Sequence, residues 1–185
     1  MIFEKEEYEL KGRKIELRSA QENEKEANML VDYLKTVCGE TRFLLVNPDE
    51  VKYTTESEMD FIRDMNESEG KLLILAFVDG VYAGNCSFSA RGSSRRAKHR
   101  ADIGIALFQK YTGFGLGRLM LERLLQMIKE AGFEQAELTV VSGNDRAYSL
   151  YRSLGFREYG RLPKANKYDD GSYSDDINMV LELGS

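Results

Sequence analysis

The segment over residues 111–120, YTGFGLGRLM, constrains the fold of this chain most, because it joins an apolar strand-like run to an amphipathic helix. Gly113, Gly115 and Gly117 stand at alternate positions in it, an arrangement that exposes consecutive backbone N–H groups. The helix that follows adds its own unpaired N–H groups and the positive end of its dipole. The segment is therefore predicted to bind a phosphate or pyrophosphate group.

Two common glycine motifs do not fit this spacing. Arg118 stands where the dinucleotide fingerprint G-x-G-x-x-G requires its third glycine. Arg118 and Leu119 follow Gly117, where a P-loop requires Lys and then Ser or Thr. For the loop alone, a glycine-rich turn that only lets the strand and the helix pack closely remains the alternative interpretation.

The composition narrows the classes of function. Hydrophobic residues make up 42% and charged residues 31% of the 185 residues, which is typical of one globular domain spanning residues 1–185. The formal net charge of −5 argues against a nucleic-acid partner, because such binding depends on neutralising phosphates. Two distant cysteines, Cys38 and Cys86, and a single histidine, His99, argue against a metal site.

Two features of the sequence predict a cytoplasmic protein without a membrane partner. The first ten residues, MIFEKEEYEL, are charged from the fourth residue onward, unlike a secretory signal. The longest apolar run, residues 72–78, is too short to cross a bilayer.

The hydrophobic periodicity predicts two early helices followed by alternating strands and helices. Residues 14–18 alternate as a strand, and Ser19 is expected to cap the first helix. Thr54 or Thr55 is expected to cap the second helix. The order after it is strand, strand, strand, helix, strand, helix, strand, strand. This order predicts an α/β (α+β) fold with a central mixed sheet and helices on its faces.

A second motif lies about one strand–helix–strand unit after the glycines. Residues 142–156 read SGNDRAYSLYRSLGF. Together the two motifs resemble the GNAT acetyltransferase superfamily over about residues 102–156, with a looser match over the C-terminal strands. The family's late pattern is complete in this chain, as Asn144, Ala147, Tyr151, Gly155 and Phe156. The resemblance implies a single-domain GNAT-like fold with a mostly antiparallel sheet.

The resemblance also implies acetyl-CoA as the cosubstrate, bound by a core of about residues 101–156. The pantetheine arm would pair with the strand of Ile105, Ala106 and Leu107 and with the helix start at Asn144 and Ala147. The family commonly has Arg or Gln where this chain has Thr112, so a charged contact with phosphate is lost there. The residues expected around the pyrophosphate are Thr112, Gly113, Phe114, Gly115, Leu116, Gly117 and Arg118.

The resemblance implies two catalytic residues. Tyr151 would contact the cofactor and protonate the departing thiolate, although its spacing also fits a core aromatic. Asp102 would act as the general base, with a solvated carboxylate at the strand end as the alternative. Thr139 stands where some members carry a glutamate, and a water chain without a dedicated base is a further alternative.

The predicted function is N-acetyl transfer from acetyl-CoA to a primary amine of a small molecule or peptide, by direct attack through a tetrahedral intermediate. Two alternatives are a non-catalytic acetyl-CoA sensor and a transferase for longer acyl chains. The second helix has an acidic side, which indicates either a cationic acceptor or a solvated face; its members are Glu56, Glu58, Asp60 and Asp64. The resemblance leaves a monomer and a homodimer as open alternatives.

Overall fold

The structure is a computed structural model that describes residues 1–184, and these residues form an eight-stranded sheet with four α-helices. The helices are α1 (Glu24–Glu40), α2 (Thr55–Glu67), α3 (Leu116–Glu130) and α4 (Asp145–Ser153). The strands are β1 (Glu6–Leu10), β2 (Arg13–Arg18), β3 (Lys71–Val78), β4 (Val81–Ala90), β5 (Arg100–Leu107), β6 (Gln135–Val141), β7 (Arg157–Lys167) and β8 (Tyr173–Glu182).

The strands are hydrogen-bonded in the order β1-β2-β3-β4-β5-β6-β8-β7. The β5–β6 pair is parallel, and every other neighbouring pair within residues 1–184 is antiparallel. The parallel connection runs through α3, as a crossover between parallel strands requires. The predicted mixed, mostly antiparallel sheet flanked by helices is therefore confirmed.

Strand β3 separates two hydrophobic cores, which explains why it is apolar at nearly every position. Leu72 and Ile74 pack on one side with α3 and α4, whereas Leu73 and Leu75 pack on the other side with α1 and α2. Since successive side chains of a strand point to opposite faces, both faces of this strand are covered. The helices thus form two layers around the sheet.

The structure corrects the expected start of the first helix. Asn23, not Ser19, caps α1, and its side chain accepts a hydrogen bond from the backbone N–H of Glu26 at 2.9 Å. The buried Ser19 hydroxyl instead accepts from Phe3 N at 2.8 Å and donates to the Leu73 carbonyl. Ser19 therefore connects the N-terminal segment to the sheet.

Two further features refine the sequence-based expectations. Thr54 caps α2, because its hydroxyl accepts from the backbone N–H of Ser57 at 3.2 Å. Strand β1 was not expected from the sequence; it pairs with β2 across a turn at Lys11 and Gly12, both of which have positive φ. This hairpin lies beside the glycine segment, where Leu10 approaches Gly115.

Candidate active site

Strands β5 and β6 are paired at one end of their length only. Three residues at the start of β5, the last of them Asp102, are in register with three of β6, the last of them Glu137. Beyond this point residues 103–107 keep their pairing with β4 but have none with β6. Backbone N–H and C=O groups on this edge of β5 are consequently available to a ligand.

A cavity of about 1210 Å³ occupies the space where the two strands diverge. It extends from the glycine segment, past β5 and β6, to the first turns of α4. Most of the residues expected to bind the cofactor line it: Ile105, Ala106, Leu107, Thr112, Gly113, Gly115, Gly117, Arg118, Asn144, Ala147 and Tyr151. The structure thus brings two motifs that are distant in sequence to one site.

Phe114 and Leu116 do not line this cavity. The Phe114 ring lies 5.0 Å from the guanidinium of Arg13 in the β1–β2 hairpin. The Leu116 side chain is buried in the core beneath α3. Their predicted contribution to the cofactor site is through their backbone N–H groups, and their side chains fix the loop to the rest of the protein.

The N-terminus of α3 is left without a side-chain cap. Gly115 is the N-cap residue, with φ of +107°, and makes no side-chain hydrogen bond. Gly113, with φ of +85°, adopts the same left-handed region, which glycine enters at no steric cost. The first turn of α3 contains no acidic residue. Its free N–H groups and helix dipole therefore form an anion-binding site that opens into the cavity.

Arg146, which the sequence analysis did not single out, contributes a positive charge at this point. Its guanidinium donates a hydrogen bond to the Thr112 hydroxyl, which in turn donates to the Gln109 carbonyl at 2.8 Å. Arg146 and Thr112 both line the cavity. The charge missing from the loop at Thr112 is thus supplied from α4, a contact that only the tertiary structure reveals.

No residue among 1–184 forms a hydrogen bond with the hydroxyl of Tyr151. The residue is 8% exposed, its ring packs edge-on against Phe156 at 5.9 Å, and it lines the cavity. Burial raises the pKa of Tyr151 to about 12. The phenol is therefore protonated at neutral pH and is able to donate its proton to a ligand in the cavity.

Asn144 caps α4 and borders the cavity at the same time. Its Oδ1 accepts from the backbone N–H of Ala147 at 3.3 Å, which leaves the amide nitrogen available as a donor. Thr139 also lines the cavity, and its hydroxyl donates to Oδ1 of Asn178 at 3.0 Å. Thr139 carries no ionisable group, so it offers no base at this position.

The structure does not bring Asp102 to the cavity. Asp102 lies at the closed end of the β5–β6 pair, where its carboxylate forms an ion pair with Arg91 at 2.7 Å and stays 46% exposed. Arg91 and Arg100 both bind the neighbouring Glu137, which is 2% exposed. Hydrogen bonding to Arg100 lowers the pKa of Glu137. This geometry argues against the predicted role of Asp102 as general base, because its partners hold the strands together instead.

Neither cysteine and no histidine lines this cavity within the described part of the chain. Cys86 is fully buried and burial raises the pKa of its thiol, which disfavours the thiolate needed for covalent catalysis. No group of His, Cys, Asp and Glu side chains in residues 1–184 could hold a metal ion. Within the same residues no helix has the length and apolar character needed to span a bilayer.

The segment between α1 and α2 forms a further wall that the sequence did not predict. Residues 41–45 line the cavity, and Phe43 among them lies close to Gly143, which directly precedes the N-cap of α4. Arg42 in this segment lies 3.7 Å from the Tyr168 ring and donates to the Ser172 hydroxyl at 2.9 Å. The segment is thereby fixed to the β7–β8 hairpin. Taken together, the site fits an elongated ligand with an anionic group at one end and amide groups along its length.

Comparison with known proteins identifies the family to which this site belongs. The model of the acetyltransferase (GNAT) family matches residues 30–156, which is more than half of the chain. The chain therefore belongs to the acetyltransferase (GNAT) family, and the resemblance found in the sequence is confirmed.

Individual relatives agree with this assignment. The L-amino acid N-acyltransferase MnaT of Escherichia coli is 27% identical over 115 residues, which are 62% of this chain and 66% of that protein, just under two thirds. A GNAT-family acetyltransferase from Streptococcus pneumoniae superposes with a TM-score of 0.84 at 28% identity, covering 91% of this chain and 99% of the other. The structure of yncA of Salmonella typhimurium, solved with its cofactor acetyl-CoA, has a TM-score of 0.79 at 20% identity, covering 92% of this chain and 95% of the other.

Proposed function

We propose that this protein is an acetyl-CoA-dependent N-acetyltransferase that transfers the acetyl group to a primary amine by direct attack. The observation that carries the proposal is the cavity between β5 and β6, which leads from the uncapped N-terminus of α3 to the unpaired hydroxyl of Tyr151. Acetyl-CoA has a pyrophosphate, an arm with two amides and a thioester in this same order. The family membership and the acetyl-CoA-bound structural relative support the choice of cosubstrate.

The binding role is divided between backbone and side chains. The unpaired edge of β5 offers N–H and C=O groups that would pair with the amides of the arm as a neighbouring strand would. The first turn of α3 would receive the pyrophosphate. Arg146 would add a charge-assisted hydrogen bond to the same group. The amide nitrogen of Asn144 would donate to the arm from the opposite wall.

The chemical role falls on Tyr151. When a neutral amine attacks the thioester carbon, a C–N bond forms and the carbonyl oxygen becomes an oxyanion. Collapse of this tetrahedral intermediate breaks the C–S bond and releases a thiolate. Tyr151 would give its proton to that sulfur, which makes coenzyme A a better leaving group. The amine loses its own proton to water, to solvent buffer or to a carboxylate on the acceptor side, and Tyr151 regains its proton from solvent.

The proposal is tested by incubating the protein with acetyl-CoA and a panel of primary amines. Release of free thiol together with an acetylated amine, identified by mass spectrometry, is the expected outcome. Binding of acetyl-CoA without transfer to any amine would instead favour the acetyl-CoA sensor. Faster transfer from acyl-CoA donors with longer chains would favour a different acyltransferase. The acceptor named for the MnaT relative, an L-amino acid, belongs in the panel beside amines that lack a carboxylate.

A further inference from the structure

Three glutamates are buried within residues 1–184, and one of them has no partner. Glu26, 6% exposed, binds the guanidinium of Arg18. Glu137 binds Arg91 and Arg100, as described above. Glu58 as a whole residue is 4% exposed, and its carboxylate forms no hydrogen bond or ion pair among the described residues, so that burial alone shifts its pKa. Burying an unpaired carboxylate is costly, so a cation brought by a ligand would have a strong effect at this position.

Glu58 lines a second, smaller cavity of about 310 Å³ between α1, α2 and the sheet. This volume lies at the lower end of the range of small-molecule sites, roughly 300–1,000 Å³. Asn85 and Ser87 of β4 border both this cavity and the cofactor cavity. Asn85 is in register with Ala106 of β5, whose strand is expected to hold the arm next to the thioester. A molecule in the second cavity therefore lies beside the position expected for the acetyl group.

The remaining walls of the second cavity are largely apolar. They come from α1, α2, β3 and the segment before α2, and include Leu30, Leu34, Tyr53, Phe61 and Leu73. Tyr53 and Phe61 are also exposed to solvent, so they mark the mouth of the cavity. These walls suit a hydrocarbon or aromatic body, whereas Glu58 suits a positive charge.

Among the described residues, the lining of the second cavity has no cationic group that would pair with a carboxylate, although it includes the hydroxyls of Ser57 and Ser87. No arginine, lysine or histidine is among the residues of the described chain that line it. An α-carboxylate placed there would face Glu58 without a counter-ion, and like charges at close range repel. The side-chain amide of Asn85 donates to the Tyr82 hydroxyl at 2.8 Å, which leaves its Oδ1 as an acceptor for an ammonium.

We propose that the second cavity binds the acceptor, and that this acceptor is a compact apolar amine without a carboxylate. Glu58 would hold it first as an ammonium, which then gives one proton to water or to this carboxylate and attacks the thioester as the neutral amine. The proposal rests on the proposed acetyltransferase function and narrows its substrate class. It also distinguishes this chain from its amino-acid-acylating relative. Burial raises the pKa of Glu58, and no cation among residues 1–184 opposes that shift. An ammonium from the acceptor would do so.

The matched probes are phenethylamine and phenylalanine, which differ by the carboxylate alone. Acetylation of each is measured at saturating acetyl-CoA with the wild type, Glu58→Gln and the control Glu56→Gln. Glu56 lies on the same first turn of α2 but is exposed. The wild type is expected to acetylate phenethylamine with a kcat/KM at least about tenfold above that for phenylalanine. Glu58→Gln is expected to lower kcat/KM for phenethylamine about 10- to 100-fold, as removal of a charge-assisted hydrogen bond does.

Acetyl-CoA affinity, measured by calorimetry, is expected to be the same in the wild type and both variants. Glu56→Gln should also leave both kcat/KM values unchanged. Glu58→Gln removes a buried unpaired charge, so its free energy of unfolding is expected to equal or exceed that of the wild type. Glu58→Met, which removes every polar atom of the side chain, provides an independent repeat of the kinetic test.

The outcomes separate the two proposals. Equal or better acetylation of phenylalanine, or an unchanged kcat/KM in both Glu58 variants, would overturn the acceptor proposal while the acetyltransferase function stands. Acetylation of neither probe would leave the cavity to be tested by binding alone. In that case, thermal stabilisation by phenethylamine of the wild type but not of Glu58→Gln would support the cavity as an amine site, and equal stabilisation of both would refute it.

Discussion

Replacing Tyr151 with phenylalanine removes the one hydroxyl that the proposed reaction uses and leaves the ring in place. The Tyr151 hydroxyl has no partner in residues 1–184, so its removal strands no donor or acceptor. The ring contact with Phe156 at 5.9 Å is kept. We therefore expect the free energy of unfolding to change by no more than about 0.5 kcal/mol, as at a site without broken contacts.

The effect of Tyr151→Phe on turnover should be far larger than its effect on stability. General acid catalysis contributes at least roughly a hundredfold, which is about 2.7 kcal/mol of activation free energy. The dissociation constant for acetyl-CoA should stay nearly unchanged, because the substitution does not touch the anion-binding site at the N-terminus of α3 or the unpaired edge of β5. Turnover is followed as thiol release and binding by calorimetry, so that the two contributions are separated.

Tyr148→Phe is the matched control on the same helix. The Tyr148 hydroxyl lies 3.4 Å from Glu158 and Tyr148 does not line the cavity, so turnover should stay normal.

The pH dependence gives a further check on the acid role of Tyr151. Since burial raises the pKa of Tyr151 to about 12, the phenol keeps its proton as the pH rises through 10. Turnover should consequently show no loss from this group up to about pH 11. Full activity of Tyr151→Phe with an accepted amine would refute the acid role and leave Tyr151 as a core aromatic.

Four further predictions follow from the geometry. Gly115→Glu should abolish acetyl-CoA binding in a protein that circular dichroism shows to be folded, because it adds a negative charge at the uncapped start of α3 and places a non-glycine residue at a φ of +107°; unchanged calorimetric affinity would contradict this. Arg146→Gln should weaken acetyl-CoA binding about tenfold through loss of a charge-assisted hydrogen bond, and an effect on turnover alone would be inconsistent with it. Asp102→Asn should keep turnover within about twofold, whereas a general base would cost roughly a hundredfold. The pKa of Glu137 is lowered, so its stabilising contribution is present above its ordinary pKa of 4.5 and is lost as the pH falls below it; Glu137→Gln should flatten this acid dependence of the melting temperature.

The parts of the site that the sequence predicted are those whose residues lie together along the chain. The glycine segment predicted an uncapped helix start, since glycine spacing and a following amphipathic helix are local properties. The run from Asn144 to Tyr151 likewise predicted a capped helix with one face toward the ligand. Both motifs were confirmed as neighbours because the fold places the two helix starts on one side of the sheet.

The parts that the sequence missed depend on contacts between distant segments. Arg146 could not be assigned to the anion site from the sequence, because its contact with Thr112 depends on how α4 packs beside the glycine segment. Glu58 was counted in an acidic helix face, and only the packing of α2 shows that it points inward while Glu56 does not. Asp102 was expected at the site because the family resemblance implied an acidic residue near the start of this strand. A sequence does not reveal at which end two parallel strands remain paired, and Asp102 lies at the paired end.

Two other expectations remain predictions. The cytoplasmic location was inferred from the charged first residues and from the absence of a long apolar run, and a fractionation experiment would test it. Whether the protein acts as a monomer or a homodimer would be determined by sedimentation at several concentrations.

The cavity between β5 and β6 is proposed to hold acetyl-CoA for transfer to an amine. The most direct test combines the wild-type protein, acetyl-CoA labelled in its acetyl group and a panel of primary amines, with labelled product and free thiol measured in the same sample. We expect equal amounts of acetylated amine and free thiol, with strong loss of both in Tyr151→Phe. Saturable acetyl-CoA binding with no acetylated product from any amine would contradict it.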